Sequence, residues 1–215
     1  MSDPERSRPA SAYEARATQL VEVLREQFGV PGAARTVIAV AGESGSGKSV
    51  TATDLAAELN ANGVNTAIIH QDNYFIRPPR SNHEHRLQHG LESVGPQEVQ
   101  LDLIRSQMAA FRAGERVEAP VVDYPGNQFV SQSLNFASAQ ILIVEGTYAL
   151  LIDGHDIGIF LQATWQDTAE RRRVRNRDID DPMIDSVLAH EHRLIAPQAS
   201  RAAIVLDRDF VISVK

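Results

Sequence analysis

The chain has 215 residues, 43% hydrophobic and 23% charged, which suits a globular protein with one substantial α/β core. Its net charge of −7 argues against general affinity for nucleic acid or an anionic membrane, because phosphate contacts need a surplus of Lys and Arg. The lack of cysteine excludes disulfides and thiolate zinc sites, and no apolar run approaches the ~20 residues that span a bilayer, so the cytoplasm is the expected compartment.

The first ten residues, MSDPERSRPA, lack the apolar stretch of a signal peptide. Apolar residues at Ala15, Leu20, Val21, Val23, Leu24 and Phe28 then recur at near-helical spacing and predict a preface helix over 12–28, stopped at Gly29. Residues 37–41 form a short apolar run ending in glycine, the profile of a buried parallel strand. A helix over 49–60 closes at Asn62-Gly63, and a second strand over 65–69 delivers the stretch HQDNYF. From 77 to 97 the chain is polar, rich in Pro, His and Arg, and without clear periodicity, which predicts a long mobile segment. His83, His85 and His89 read there as loop residues rather than ligands, since Mg²⁺ prefers oxygen.

Helical spacing returns over 96–112, with Val99, Leu103, Ile104, Met108 and Phe111 as an apolar stripe, followed by a short excursion at 121–125. The run Ile-Leu-Ile-Val ending in Glu145-Gly146 is the most strand-like in the chain. Another strand is expected over 157–163, helices over 168–176 and 182–195, and two short strands over 203–206 and 210–214. This alternation implies βαβ units and a parallel sheet flanked by helices in three layers. Tyr148 and Trp165 read as packing residues. His-Glu-His-Arg occurs at both 83–86 and 190–193, and reads as coincidence.

Between the first strand and its helix lies Gly42-Glu43-Ser44-Gly45-Ser46-Gly47-Lys48-Ser49, matching G-x-x-x-x-G-K-[ST] at every fixed position. Glycines let the backbone curl so that amides from about Gly45 to Ser49 point at phosphate oxygens, and the helix N-terminus adds partial positive charge. Lys48 bridges the outer phosphates and the Ser49 hydroxyl is a ligand for Mg²⁺. The nucleotide-binding set is Gly42, Glu43, Ser44, Gly45, Ser46, Gly47, Lys48, Ser49 and Val50, which implies ATP and Mg²⁺.

Two carboxylates decide where the phosphoryl group goes. Glu145, at the end of its strand, is placed to reach the metal or its waters in the Walker B manner. Asp72 reads in two ways: a loop-starting acid that accepts backbone N–H bonds, or a base near the γ-phosphate that takes a proton from an attacking hydroxyl and lies close to the metal. Arg171, Arg172, Arg173, Arg175 and Arg177 crowd seven positions of an acidic chain. Arg173 and Arg177, at i and i+4, share a helix face and are the chosen transition-state clamps; a solvated basic face is the alternative.

GESGSGKS, QDNYF, ILIVEG and the Arg-rich segment ending in Arg-Asp occur in the order seen in the uridine kinase family, which the chain resembles over about 36–211. The wider group includes phosphoribulokinases and bacterial pantothenate kinases. The resemblance implies a P-loop kinase fold over 36–215 with a small lid, behind a tail and helix over 1–35. It also implies Asp72 as general base, Glu145 assisting Mg²⁺ and residues 171–177 in the lid. Departures concern the acceptor. Val122-Asp123-Tyr124-Pro125 stands where nucleoside-specific members carry Tyr-Asp-Phe, Glu92-Ser-Val-Gly-Pro96 lacks the ribose-binding aspartate, and Ile179-Asp-Asp-Pro182 replaces Glu-Arg-Gly.

The expected activity is therefore ATP-dependent phosphorylation of a hydroxyl on a small metabolite, with a nucleoside first, and a sugar, sugar phosphate or pantothenate-like acid as alternatives. Candidate acceptor contacts are Asp72, Tyr74, Arg86, Asp123 and Tyr124. A regulatory ATPase or switch is the rival from another class. A homo-oligomer is compatible with the sequence.

Overall fold

The computed structural model describes residues 10–170, 172 and 183–215, with side chains from 15 onward. Helix α1 (Ala10–Phe28) precedes strand β1 (Thr36–Gly42), helix α2 (Lys48–Ala61) and strand β2 (Thr66–His70). A 3-10 turn, Gln71–Tyr74, leads to α3 (Pro79–His89) and α4 (Leu101–Ala113). Strands β3 (Arg116–Asp123) and β4 (Gln128–Asn135) form a hairpin, and β5 (Ile141–Glu145), β6 (Ile157–Leu161), α5 (Ile184–Ile195), β7 (Ile204–Leu206) and β8 (Ile212–Val214) complete the chain.

Six strands form one sheet in the order β2-β5-β1-β6-β7-β8, parallel except for β8. Its side chains alternate between two apolar cores. Ile38 and Val40 of β1 and Ile141 and Ile143 of β5 face α1 and α2, whose Leu20, Leu24, Leu55 and Leu59 are fully buried. Val37, Ala39, Leu142 and Val144 face the opposite layer with Ile104, Met108 and Phe111 of α4 and Ile195 of α5. Burial on both faces explains why these strands read as continuous apolar runs. The C-terminal ends of β1, β5 and β2 lie side by side, because Val40 is in register with Glu145 and Glu145 with His70. That edge is where open α/β sheets bind ligands.

Two expectations are corrected. Residues 79–89 of the supposed mobile segment are a helix, α3, whose only large aliphatic side chain, Leu87, is exposed, so no apolar stripe announced it. The excursion at 121–125 belongs to a two-stranded antiparallel hairpin of eight residues per strand. It stands apart from the main sheet, and most of β4 is exposed, so the alternation that marks a half-buried strand is weak. Residues 171 and 173–182, which include five of the nine positions of the expected helix over 168–176, fall outside the described residues. No helix among the described residues is long and apolar enough to cross a membrane.

Candidate active site

The loop between β1 and α2 is built from its glycines. Gly42, Gly45 and Gly47 adopt φ of 154°, 75° and 101°, values that strain any residue with a Cβ. At Gly45 a Cβ would also lie 2.9 Å from side-chain carbons of Thr168 and Arg172. Gly47 starts α2 without a side-chain cap, so the first-turn amides remain available to an anion. The Lys48 ammonium donates to the Glu43 carbonyl at 2.9 Å, within the loop itself. Thr168 Oγ1 donates to the Ser44 carbonyl at 2.9 Å, and the Glu43 carboxylate accepts from the Trp165 amide at 2.7 Å and pairs with His192 Nδ1 at 2.6 Å. Glu43 thus holds the loop with its side chain and can meet a nucleotide only through its backbone. Val50 likewise turns a buried side chain inward.

His70, which ends β2, and Gln71, which follows it, have different partners. His70 Nδ1 lies 2.8 Å from Glu145 Oε1. Gln71, fully buried, accepts the Tyr148 amide at 2.8 Å and packs so tightly over Gly146 that a Cβ there would lie 2.2 Å from its own. That contact explains the Glu-Gly pair ending β5. Asp72 follows on the 3-10 turn and lines the cavity beside the loop. Glu145 is 3% exposed, and its carboxylate oxygens accept from the Ser49 hydroxyl at 3.3 and 3.2 Å.

The cavity has a volume of about 330 Å³. Ser44 and Arg172 border it on the phosphate side, Asp72 and Thr147 at the strand ends, and Asn82, Arg86, Tyr124 and Glu191 are among the residues walling the far side. Residues 37–212 match the phosphoribulokinase/uridine kinase family. The chain belongs to that family. Its members are ATP-dependent small-molecule kinases, and the chain phosphorylates a small-molecule hydroxyl with ATP as donor. The uridine kinase of Macrococcus caseolyticus is 30% identical over 166 residues, 75% of this chain and 79% of that one. A bifunctional alpha-galactosidase/sucrose kinase from Mediterraneibacter gnavus is 29% identical over 191 residues, 81% of this chain but 20% of that protein. The solved structure of a possible uridine kinase from Bacillus stearothermophilus shares the fold, with a TM-score of 0.66 at 16% identity over 90% of this chain and 98% of that one.

Not every residue expected at the kinase's acceptor site reaches it. Tyr74 is 2% exposed, and its hydroxyl donates to Gln107 Oε1 under α4. Burial pushes that phenol up to about 12, with the Gln107 bond opposing; this removes Tyr74 from the expected acceptor contacts. Asp123 accepts from the Gly126 amide and the Gln128 side chain, capping the turn of the β3–β4 hairpin. Those bonds, Gln128 first, hold its carboxyl below the ordinary range. Tyr124 does line the cavity, half exposed. Arg86 lines it too, although its guanidinium is engaged by Glu98 and Glu191. The clamps Arg173 and Arg177 lie outside the described residues. Arg172, passed over in the sequence for want of an i,i+4 partner, is 7% exposed, borders the cavity and donates to the Trp165 carbonyl at 3.1 Å. Glu191 was also missed, since no local pattern ties residue 191 to residue 86.

Proposed function

We propose that the kinase transfers the γ-phosphoryl group of ATP to a hydroxyl of an acceptor held in the 330 Å³ cavity, with Asp72 as general base. The observation that carries this reading is that Asp72 lines the same cavity as Ser44 of the phosphate loop and Arg172. The acceptor oxygen forms a bond to the γ-phosphorus as the bridging bond to ADP breaks, and the hydroxyl proton passes to Asp72. Lys48 and Arg172 offset the charge spread over the transferred group. Mg²⁺ fits the oxygen pair of Ser49 and Glu145, and would neutralise phosphate charge there.

The cavity lies at the lower end of the roughly 300–1,000 Å³ typical of small-molecule sites. Its far side combines apolar Phe75, Val122 and Leu188 with polar Asn82, Arg86 and Glu191, a lining suited to a base and a ribose. We therefore place a nucleoside first. The similarity to a sucrose kinase over 81% of this chain favours a sugar as the second reading. Incubation with ATP, Mg²⁺ and uridine, cytidine, fructose or sucrose, read by product mass, separates them. A nucleoside monophosphate supports the first reading, a sugar phosphate the second, and ATP hydrolysis without any phosphorylated alcohol overturns both.

A further inference from the structure

Arg86 on α3 stands between two carboxylates. Its Nε and Nη2 donate to Glu98 Oε1 and Oε2 at 2.7 and 2.8 Å, and Nη2 also donates to Glu191 Oε1 on α5 at 3.2 Å. Glu98 is 2% exposed and fully satisfied, since Asn82 Nδ2 donates to Oε1 at 3.0 Å and the Gly95 amide to Oε2 at 2.9 Å. One carboxylate is enough to balance Arg86, and Glu98 already binds it in the two-pronged geometry that a guanidinium prefers. Glu191 is therefore not needed to neutralise Arg86. Its side chain is 15% exposed, it lines the cavity, and its Oε2 has no hydrogen bond to a described residue. Beside it, Asn82 also lines the cavity and is 7% exposed. With its Nδ2 committed to Glu98, Asn82 Oδ1 is buried without a partner among the described residues.

Asn82 Oδ1 is thus a buried acceptor without a donor among the described residues, and Glu191 Oε2, partly exposed beside it, has no hydrogen bond to a described residue. A buried acceptor without a donor is costly, and the cost is relieved when a ligand supplies one. We infer that Glu191 is an acceptor-specificity residue, whose Oε2 takes a hydrogen bond from a second, non-reacting hydroxyl of the substrate, with Arg86 fixing the carboxylate and Asn82 Oδ1 receiving a neighbouring donor. The substrate class is accordingly a polyhydroxylated compound, uncharged where it meets Glu191. This rests on the cavity's being the acceptor site.

The Glu191 carboxyl is held above the ordinary carboxylate range, chiefly by burial and also by the Glu98 charge, with Arg86 and Lys48 opposing. A raised carboxyl stabilises the fold only while protonated, in acid, and that contribution is lost as pH rises through its folded value. Burial therefore works against the charged form of Glu191 in the fold. Glu191→Gln removes that charge. Its amide oxygen faces Arg86, which turns the NH₂ toward the substrate and deprives the hydroxyl of its acceptor.

The test first screens the wild-type kinase for product mass on uridine, cytidine, fructose and sucrose with ATP. The accepted compound and its deoxy derivatives, each lacking one non-reacting hydroxyl, are then compared on wild type and Glu191→Gln. Glu191→Gln should raise the KM for the acceptor about 10- to 100-fold and leave the KM for ATP unchanged within about 2-fold. One deoxy derivative should show a similar loss on wild type and no further loss on the variant. The melting temperature at pH 7 should hold or rise. An unchanged acceptor KM, or a joint rise in both KM values with a lower melting temperature, overturns the inference while leaving the acceptor site in place. A wild-type enzyme that phosphorylates no alcohol overturns the acceptor site itself, and this inference with it.

Discussion

At Gly146 a methyl group would lie 2.2 Å from the Gln71 Cβ and 2.6 Å from its amide oxygen. Gln71 has no space to withdraw into, so Gly146→Ala should cost about 1–3 kcal/mol, and thermal unfolding measures it. It should also disturb the neighbouring Ser49–Glu145 and His70–Glu145 contacts, lowering turnover beyond what lost stability alone would give. Tyr74→Phe gives the opposite pattern. Its hydroxyl serves Gln107 rather than the cavity, so the variant should lose about 1–2 kcal/mol of stability with acceptor KM unchanged within about 2-fold; a large rise in that KM would return Tyr74 to the acceptor site. The sequence displayed the phosphate loop in full because its glycines answer to local backbone geometry. It did not display the partners of His70 and Gln71, which lie 75 and 77 residues away, and the tight turn after β2 made Tyr74 look like Asp72's neighbour in function.

Among the elements, α5 joins the two halves of the site through consecutive residues. Glu191 reaches Arg86 on α3, and His192 reaches Glu43 in the phosphate loop. Both copies of His-Glu-His-Arg therefore lie on helices that meet at the cavity, although unlike positions make the contact. Glu43→Ala removes the acceptor of both His192 and the Trp165 amide. It should destabilise the protein by about 1–3 kcal/mol and weaken ATP several-fold, measurable by unfolding with and without nucleotide; an unaltered ATP affinity would show that the loop holds its shape without this brace. The helices facing the core were legible from their apolar stripes. Helix α3 was not, since one of its sides is the wall of a polar cavity and carries Asn82, His83 and Arg86 instead of aliphatic residues. The β3–β4 hairpin escaped for a related reason: it buries too little for a clear two-residue period.

For the whole molecule, sheet order gathers the site. Placing β1 beside β5 and β5 beside β2 brings residues 42–49, 145 and 70–72 together at one edge, although the strands are far apart in sequence. The strand pattern alone implied a parallel sheet, whereas the order of its strands depends on crossovers that no local signal records. An acidic protein handling ATP must concentrate its positive charge locally, and the proposed site draws on Lys48, Arg172 and the α2 N-terminus for it. The central claim is that Asp72 takes the acceptor proton at that edge. The measurement that tests it most directly is the single-turnover rate of phosphorylated-alcohol formation by wild type and Asp72→Asn, with ATP binding measured in parallel. The account predicts a rate roughly 10²- to 10⁴-fold lower for the variant with ATP affinity retained; wild-type transfer by Asp72→Asn would contradict it.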